Sequence, residues 1–284
     1  MKKLFVAALA ALPLLALAAG PRLFAEGFGG PENEAFDGQG GLYVSDTNHL
    51  WRMEGNKPVP VYARAADEST SLGGVALGPE GKIYFSVGTG IKTYDPAGGA
   101  VAPFVSGFKF ANGICFDDAG DLFIADSNAR ALYVVPAGTR EVRPLQAKAG
   151  WANGVAWNRE QNALYYTLSF PGELRVMTLG PGPSDAGERS LRKFPGAFLD
   201  DLTLDAAGNA YVCQWGGGRV VKVDRSGRQE DALTGLEGPS SVEFAPGTST
   251  LYVTVKGKTF AFKGTSMVTV DLKPATGQRQ PFQP

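Results

Sequence analysis

Four side chains that carry oxygen ligands occupy equivalent places in a repeating sequence. They are Glu32, Asn112, Asn153 and Asp200, and each begins a six-residue stretch whose fifth residue is large and apolar. Carboxylate and carboxamide oxygens suit Ca²⁺, whereas metals that prefer thiolate or imidazole would find few ligands here. Without a cation, Glu32 and Asp200 would repel each other in a confined site unless one took up a proton. The residue types therefore predict a calcium site, provided that the fold brings the four together.

The six-residue stretch occurs six times, and its period indicates the fold. The first positions are Glu32, Gly73, Asn112, Asn153, Asp200 and Ser240, spaced 39 to 47 residues apart. A second strand follows each stretch, and repeats of this period with about four strands are typical of a β-propeller. We expect an all-β, six-bladed β-propeller with four antiparallel strands per blade. The N-terminal strand at 22–26 should pair with the last repeat and close the ring, and the third strand of that repeat is expected at 260–262.

Equivalent positions of a propeller lie on rings around one axis, so the four oxygen-bearing residues should converge. The simpler alternative is that Asn and Asp are common in loops before strands, where they cap backbone groups. Asp201, beside Asp200, is either a further ligand or a solvated neighbour. Glu34 and Ser240 are weaker candidates, and Gly73 leaves room for substrate or water.

Loops on the same face carry aromatic and acidic side chains that could form a substrate pocket. These are Phe110, Asp126, Trp151, Phe170, Phe198 and Trp215. A metal at the floor of an aromatic-walled cup would make a good small-molecule site. The alternative for each ring is that it packs between blades.

The N-terminus has the pattern of a signal peptide. Lys2 and Lys3 precede an apolar run that ends in small residues, so we expect residues 1–19 to be removed and 20–284 to form one propeller domain. A membrane anchor is the alternative, but the run is short for one. We therefore expect a periplasmic or secreted protein without stable membrane insertion.

Composition limits the partners. The net charge is −1 and no basic cluster is present, which argues against a nucleic-acid partner. A small molecule is the expected partner, and a monomer the expected state. The two cysteines, Cys115 and Cys213, fall on non-adjacent repeats, so both are expected to be buried thiols rather than a disulfide.

With these residues placed, the chain resembles the senescence-marker-protein/gluconolactonase family of six-bladed propellers, which is related to diisopropylfluorophosphatases and paraoxonases. The resemblance runs from about residue 23 to the sixth repeat, and it is clearest at 31–37, at the two Asn-Gly stretches and at 199–220. It implies a divalent ion, usually calcium, held by Glu32, Asn112, Asn153 and Asp200. It also implies hydrolysis of a lactone or, less often, of a phosphotriester or aryl ester.

Two features depart from the wider group. Paraoxonases use histidines at their site, whereas His49 is the only histidine here and lies in a loop of the first repeat. A second metal in some relatives relies on a histidine in the sixth inner strand, where this chain has Glu243.

The resulting hypothesis is metal-assisted hydrolysis. The cation would stabilise the developing oxyanion, and Asp200 or Asp201 would act as the general base or nucleophile. A serine triad is excluded because a single histidine on the rim cannot serve it. Two alternatives stay open: a non-catalytic binding propeller of the cell envelope, and a metal-free enzyme similar to strictosidine synthase that would favour Glu243 or another lone carboxylate.

Overall fold

The computed structural model describes residues 20–68, 70–180, 187–257 and 266–271, and the regular structure of this part of the chain is all β-strand. The predicted signal peptide, residues 1–19, lies outside the described residues. Among the residues that are described, no helix has the length and apolar character needed to cross a membrane.

The strands form six four-stranded sheets, which are the blades. The innermost strands are β2 (Asn33–Phe36), β6 (Leu72–Leu77), β10 (Ala111–Phe116), β14 (Ala152–Asn158), β18 (Leu199–Leu204) and β22 (Pro239–Phe244). The second strands are β3 (Leu42–Ser45), β7 (Ile83–Val87), β11 (Leu122–Asp126), β15 (Ala163–Leu168), β19 (Ala210–Gln214) and β23 (Thr250–Val255). The third strands are β4 (His49–Glu54), β8 (Gly90–Tyr94), β12 (Ala131–Val135), β16 (Glu173–Thr178), β20 (Arg219–Val223) and β24 (Ser266–Asp271). The outer strands are β5 (Lys57–Ala63), β9 (Val101–Ser106), β13 (Arg143–Gln146), β17 (Gly187–Lys193), β21 (Gln229–Leu233) and β1 (Arg22–Glu26).

The predicted closure of the ring is confirmed. The last blade has the order β1-β24-β23-β22, and β1 pairs antiparallel with β24, so the first and the last described strands share one sheet. The innermost strands contact one another in the order β2, β6, β10, β14, β18, β22 and back to β2. The third strand of the last blade is β24 rather than the expected 260–262, which lies outside the described residues. Closure pairs the edge of the last sheet, which would otherwise be open to association.

A recurrent turn connects the innermost strand to the second strand in several blades. In the third blade, the Asp117 carboxylate accepts hydrogen bonds from the amides of Ala119 and Asp121 at 2.9 and 2.8 Å. Gly120 has φ = 88°, a left-handed conformation that glycine adopts without steric cost. Asp37 and Asp205 hold the corresponding turns of the first and fifth blades. These Asp residues fix the turn between the first two strands in blades one, three and five.

The hydrophobic core lies between neighbouring blades. Tyr43 and Leu50 of the first blade, for example, pack with Ile83 and Phe85 of the second, and all four are fully buried. The aromatic residue of the second strand recurs from blade to blade, so the same packing is repeated around the ring. The blades therefore form a stable frame that presents the ends of the innermost strands at the axis.

Candidate functional site

The innermost strands all begin at one face, called here the upper face, and run toward the opposite, lower face. The first-position ring, defined as the six residues Glu32, Gly73, Asn112, Asn153, Asp200 and Ser240, lies where these strands begin. Buried hydroxyl groups join this ring from blade to blade. Thr167 Oγ1 donates to the carbonyl oxygen of Asp200 at 2.6 Å, and Ser240 Oγ donates to that of Pro31 at 2.7 Å. The backbone of the ring is therefore fixed by neighbouring blades.

Serines hold the two asparagines of this ring. Asn112 Nδ2 donates to Ser127 Oγ at 3.1 Å, and Asn153 Nδ2 donates to Ser169 Oγ at 3.0 Å. All four residues are buried. Each serine directly follows the second strand of its blade, so the arrangement is the same in blades three and four. A carboxamide whose nitrogen is held in this way keeps its oxygen as the end that can bind a cation.

Asp200 is the buried carboxylate of the ring, with 5% of its surface exposed. Burial, and then the charge of the adjacent Asp201, raise its pKa well above the ordinary value, and a hydrogen bond from Asn153 offsets part of this shift. A carboxylate in such a place is stabilised by a proton or a cation. Asp200 is therefore suited to either metal binding or proton transfer.

Glu32 has a partner that the sequence reasoning missed. Lys256 Nζ forms a hydrogen-bonded ion pair with Glu32 Oε2, and 18% and 12% of the two side chains are exposed. Burial lowers the pKa of Lys256 to about 8. As a general rule, a carboxylate at contact distance favours the charged form of a lysine. Lys256 directly follows β23, as Ser127 follows β11 and Ser169 follows β15. Inspecting the residue after each second strand would have identified it.

Below this ring the innermost strands touch. The second-position ring is the next residue of each strand: Asn33, Gly74, Gly113, Gly154, Asp201 and Ser241. A Cβ on Gly113 would lie 2.4 Å from the carbonyl oxygen of Asn153, and one on Gly154 would lie 2.2 Å from Asp201 Oδ1. Asn33 Nδ2 and Ser241 Oγ donate to Asp201 Oδ2 at 2.5 and 2.8 Å. Positions 113 and 154 require glycine because the neighbouring strand leaves no space for a side chain at either of them.

Asp201 is, with Asp200, an expected catalytic group. The hydrogen bonds from Asn33 and Ser241 fix the position of its carboxylate. Burial raises its pKa to about 6, and hydrogen bonds from the Leu202 amide, Ser241 and Asn33 lower it in part. Its side chain lines a cavity of about 510 Å³ in the lower half of the axial channel. None of the four predicted ligands, Glu32, Asn112, Asn153 and Asp200, lines that cavity. Asp200 and Asp201 therefore serve different parts of the channel.

Four of the six predicted pocket residues form a continuous aromatic arc on the upper face. Their ring centroids are 5.4 Å apart for Trp151–Phe170, 5.0 Å for Phe170–Phe198 and 5.5 Å for Phe198–Trp215. Trp151 and Phe170 are 40% and 51% exposed, and the other two are half-buried. The arc belongs to loops of blades four and five, next to Asn153 and Asp200. Exposed rings held by one another suit contact with an apolar ligand.

The other two predicted pocket residues, Phe110 and Asp126, belong to the third blade. Asp126 is fully buried, and its carboxylate accepts hydrogen bonds from the amides of Lys109, Phe110 and Ala129 at 2.7 to 3.0 Å. Its role in the structure is to hold the loop that carries Phe110, which is half-buried. Asp126 does not present a free carboxylate to the pocket, because its oxygens are already used by the backbone.

The residues at the upper ring fit a divalent cation. Two carboxamides with anchored nitrogens, one buried carboxylate and a second carboxylate paired with a lysine supply hard oxygen ligands. Within the described residues, no group of three or more His, Cys, Asp or Glu side chains has a metal-binding arrangement. The oxygen ligands that this ring offers to a cation therefore include the two asparagine carboxamides. A cation would also have to displace Lys256 from Glu32.

Solved structures with the same architecture include several enzymes and a calcium-binding protein. A calcium-binding protein, regucalcin, from Agrobacterium tumefaciens superposes with a TM-score of 0.77 at 17% identity, over 94% of this chain and 98% of that one. A gluconolactonase from Xanthomonas campestris gives a TM-score of 0.74 at 16% identity, over 93% and 94%. A luciferin-regenerating enzyme gives 0.74 at 17% identity, over 93% and 99%. At these identities the likeness shows the shared fold.

Sequence comparison indicates the family. An uncharacterized protein of Sulfolobus acidocaldarius is 28% identical over 127 residues, which is 41% of this chain and 45% of that relative, so the match spans less than half of its length. The family model described as the SMP-30/gluconolactonase/LRE-like region matches residues 34–257, from the first innermost strand to the loop after β23. Because that match covers most of the chain and agrees with the six-bladed fold, the protein belongs to the SMP-30/gluconolactonase/LRE-like family.

Proposed function

We propose that the protein is a metal-dependent hydrolase that opens a lactone or cleaves a related ester at the upper face of the propeller. The observation that carries the proposal is the arrangement of Asn112, Asn153 and Asp200, two serine-held carboxamides and a buried carboxylate on one ring. Membership of a family that includes gluconolactonases supports the lactone. Glu32 completes the ligand set, and Ca²⁺ is the cation that best matches these oxygens.

The chemistry divides among few residues. A divalent cation, when bound, would supply Lewis-acid stabilisation of the oxyanion that forms at the ester carbonyl. Asp200 is one of the two carboxylates on the ring, beside Glu32, and it is the group that would accept a proton from the attacking water. Asn153, which lies beside Asp200 and is held by Ser169, fixes the geometry around that carboxylate. Asp201 supports the ring from below through Asn33 and Ser241.

The aromatic arc would bind the substrate. Trp151 and Phe170 are the most exposed of its rings, so they can cover an apolar face of the lactone or ester and exclude water. Phe198 and Trp215 hold those two rings in place from the neighbouring blade. The aromatic arc lies only on the side of the site formed by blades four and five, so the polar part of the substrate would face away from it. Gly73 does not leave the room expected of it, because a Cβ there would lie 2.7 Å from Ser86 Oγ. We also propose that the protein is exported and works as a monomer on a small molecule.

The test combines metal analysis with hydrolysis assays. Purified protein should contain about one calcium per chain by elemental analysis, as expected for one set of oxygen ligands. It should hydrolyse at least one member of a panel of lactones, aryl esters and phosphotriesters, and lose that activity on chelation.

Asp200→Asn should reduce kcat by about 100-fold or more while the protein stays folded. Asp231→Asn, on the exposed outer strand β21, is the matched control. Full activity in Asp200→Asn would contradict the role of Asp200.

A binding propeller is the second candidate, and the Lys256–Glu32 ion pair favours it. A lysine already neutralises one of the two carboxylates, so the ring is less dependent on a metal than the ligand types alone suggest. The exposed aromatic arc would then present Trp151 and Phe170 to a ligand without chemistry. Absence of both metal and turnover across the panel would favour this candidate over the hydrolase.

A further inference from the structure

Three large apolar side chains are exposed among the described residues, and two of them lie together at the proposed hydrolase site. They are Trp151 and Phe170, which contact each other in the aromatic arc, whereas the third, Leu23, is on the outer strand β1. Contact of neighbouring rings with water is unfavourable, and an apolar ligand would relieve it. The place of this pair beside Asn153 therefore bears on the kind of substrate that the site accepts.

Hydrogen bonds between loops fix the aromatic arc. The Ser169 amide donates to the carbonyl oxygen of Trp151 at 2.9 Å, so the two loops of blade four that carry the exposed rings are joined. The Phe194 amide donates to the carbonyl oxygen of Gly172 at 2.8 Å, which joins blade four to the loop that leads into β18. Gly172 has φ = 79°, and a Cβ there would lie 2.5 Å from the carbonyl oxygen of Phe194. A wall held in this way is pre-organised for its ligand.

Trp151 and Phe170 together offer a surface for a flat group. Their ring planes are inclined by 34°, whereas Phe170–Phe198 and Phe198–Trp215 are edge-to-face contacts at 87° and 61°. The edge-to-face contacts support the exposed pair from the side of blade five. An aromatic group of the substrate can therefore stack against the two exposed rings.

The exposed pair lies close to the groups that would act on the ester. Trp151 is two residues before Asn153, and Phe170 directly follows Ser169, whose hydroxyl accepts a hydrogen bond from Asn153 at 3.0 Å. Two residues of chain span at most about 7 Å. A group that stacks on this pair is therefore attached directly beside the ester function, rather than at the end of a long chain.

Two carboxylates of the upper loops that could bind the hydroxyl groups of a sugar are already occupied. Asp46 and Asp126 are at equivalent places in blades one and three, and both are buried. Asp46 accepts hydrogen bonds from three backbone amides and from the indole of Trp51 at 2.7 to 2.8 Å. Asp126 accepts from three backbone amides. A polyhydroxylated ligand would find neither carboxylate free.

We propose that the substrate of the upper site is a lactone or ester with an aromatic group directly beside the ester function, and that sugar lactones are poor substrates. This inference rests on the proposed hydrolase. Water adds across the acyl C–O bond: its oxygen bonds to the carbonyl carbon, and its proton goes through Asp200 to the departing oxygen. The aromatic group stays stacked on Trp151 and Phe170 throughout. The arc thus selects the substituent, and the ring of ligands acts on the ester.

The first experiment needs no turnover. Lactams keep the ring shape of lactones and resist hydrolysis, so calorimetry in calcium-containing buffer can compare their binding to the full-chain protein. The probes are a δ-lactam with phenyl on the carbon next to nitrogen, the unsubstituted δ-lactam and gluconolactam. The phenyl lactam should bind about tenfold or more tightly than the other two. Equal or tighter binding of either of them, or no saturable binding of the phenyl lactam at millimolar concentration, would overturn the proposal.

A fourth lactam tests the spacing between the arc and the ester group. Its phenyl group is attached through a propyl chain, which moves the aromatic ring away from the carbonyl. It should bind more weakly than the directly substituted lactam, because the exposed pair lies within about 7 Å of Asn153 along the chain. Tighter binding of the propyl-linked compound would contradict an aromatic group beside the ester.

A single substitution locates the contact. Phe170→Ser should lower the affinity for the phenyl lactam about tenfold, because it removes one of the two exposed rings. Leu23→Ser, at the third exposed apolar side chain, is the matched control and should leave this affinity unchanged. Unchanged affinity in a folded Phe170→Ser protein would exclude the arc as the binding surface. The comparison of lactams uses the unmodified sequence, so it decides the matter even if Phe170→Ser does not fold.

Hydrolysis of the matching lactones separates this inference from the proposed function. The phenyl-substituted δ-lactone should have a kcat/KM about tenfold or more above that of glucono-δ-lactone. Preference for glucono-δ-lactone would overturn the inference and leave the hydrolase standing. Tight binding of the phenyl lactam without turnover of any lactone would support recognition by the arc and contradict the hydrolase.

Discussion

Lys256 of the sixth blade forms an ion pair with Glu32 of the first, across the point where the ring of blades closes. The two residues are 224 positions apart in sequence. Glu32 is also one of the four residues expected to bind a cation. Its carboxylate can neutralise the lysine or coordinate the metal, but the two cations would occupy nearly the same space and repel each other. Metal binding at the upper ring therefore has to displace Lys256.

Replacing this lysine should strengthen metal binding. In Lys256→Met the competing charge is removed and the length of the side chain is kept, so calcium affinity should rise about tenfold or more, equivalent to roughly 1.4 kcal/mol. Isothermal titration of the metal-free protein with calcium measures this directly. Thermal unfolding should show that the metal-free variant is less stable, because Glu32 is left unpaired, and that calcium restores the stability.

Lys222→Met is the matched control for that change. Lys222 pairs with Glu230 at 3.3 Å on the outer part of the fifth blade, away from the upper ring. Lys222→Met should leave unchanged both the calcium affinity and the increase in stability that calcium produces. Calcium binding to Lys256→Met that is no tighter than to the unmodified protein would mean that the lysine does not compete with the metal.

The serines that hold the asparagines should matter for metal binding without touching the metal. In Ser169→Ala, Asn153 loses the acceptor of its amide nitrogen and its carboxamide can rotate, so calcium affinity should fall. Ser127→Ala should do the same at Asn112. It should also lower the free energy of unfolding by about 1 kcal/mol, because Ser127 Oγ additionally donates to the carbonyl oxygen of Ala152.

Calcium titration and denaturant unfolding separate these two effects. Ser190→Ala, an exposed change on β17, controls for loss of a hydroxyl group. If Ser169→Ala binds calcium as tightly as the Ser190→Ala control, Asn153 is not a ligand that depends on its serine.

Much of the fold could be predicted from the sequence because each blade repeats the same local interactions. The apolar fifth position, the aromatic second strand and turns such as that at Asp117 are all local in the chain. The four candidate ligands were found in the same way, since equivalent positions of a repeat lie on one ring.

Features that depend on ring closure or on side-chain direction could not be predicted in this way. Lys256 meets Glu32 only because the last blade packs against the first. Asp200 and Asp201 are neighbours in sequence, but they lie where the pairing of β18 with β19 is irregular, between Leu199 and Leu202, and only Asp201 lines the cavity in the lower half of the axial channel. Asp126 was expected to line the pocket, but its carboxylate binds backbone amides of its own loop. Sequence alone does not give the loop conformation that decides between these two arrangements.

The second-position ring should not tolerate side chains at its glycines. Gly154→Ala would place a Cβ 2.2 Å from Asp201 Oδ1 and 2.6 Å from Asp201 Cα, so the inner strands of blades four and five would have to move apart. We expect a loss of about 2 kcal/mol or more in the free energy of unfolding. Gly98→Ala, where the nearest atom is 4.0 Å from the new Cβ, should change stability little. Equal denaturation midpoints for the two variants would show that the strands are not in contact at Gly154.

The two cysteines should differ in reactivity. Neither forms a disulfide, and Cys213 is fully buried whereas Cys115 is half-buried. Burial, and then the charges of Glu34, Asp200 and Asp201, raise the pKa of the Cys213 thiol well above its ordinary value. A raised thiol pKa keeps the group protonated, and the protonated form is not the nucleophile.

At pH 8 a disulfide reagent should therefore modify one thiol per folded chain and two per chain in denaturant. Cys115→Ser should abolish the reaction of the folded protein. Two fast thiols in the native state would mean that the core around Cys213 opens readily, and none after unfolding would mean that the two cysteines are joined.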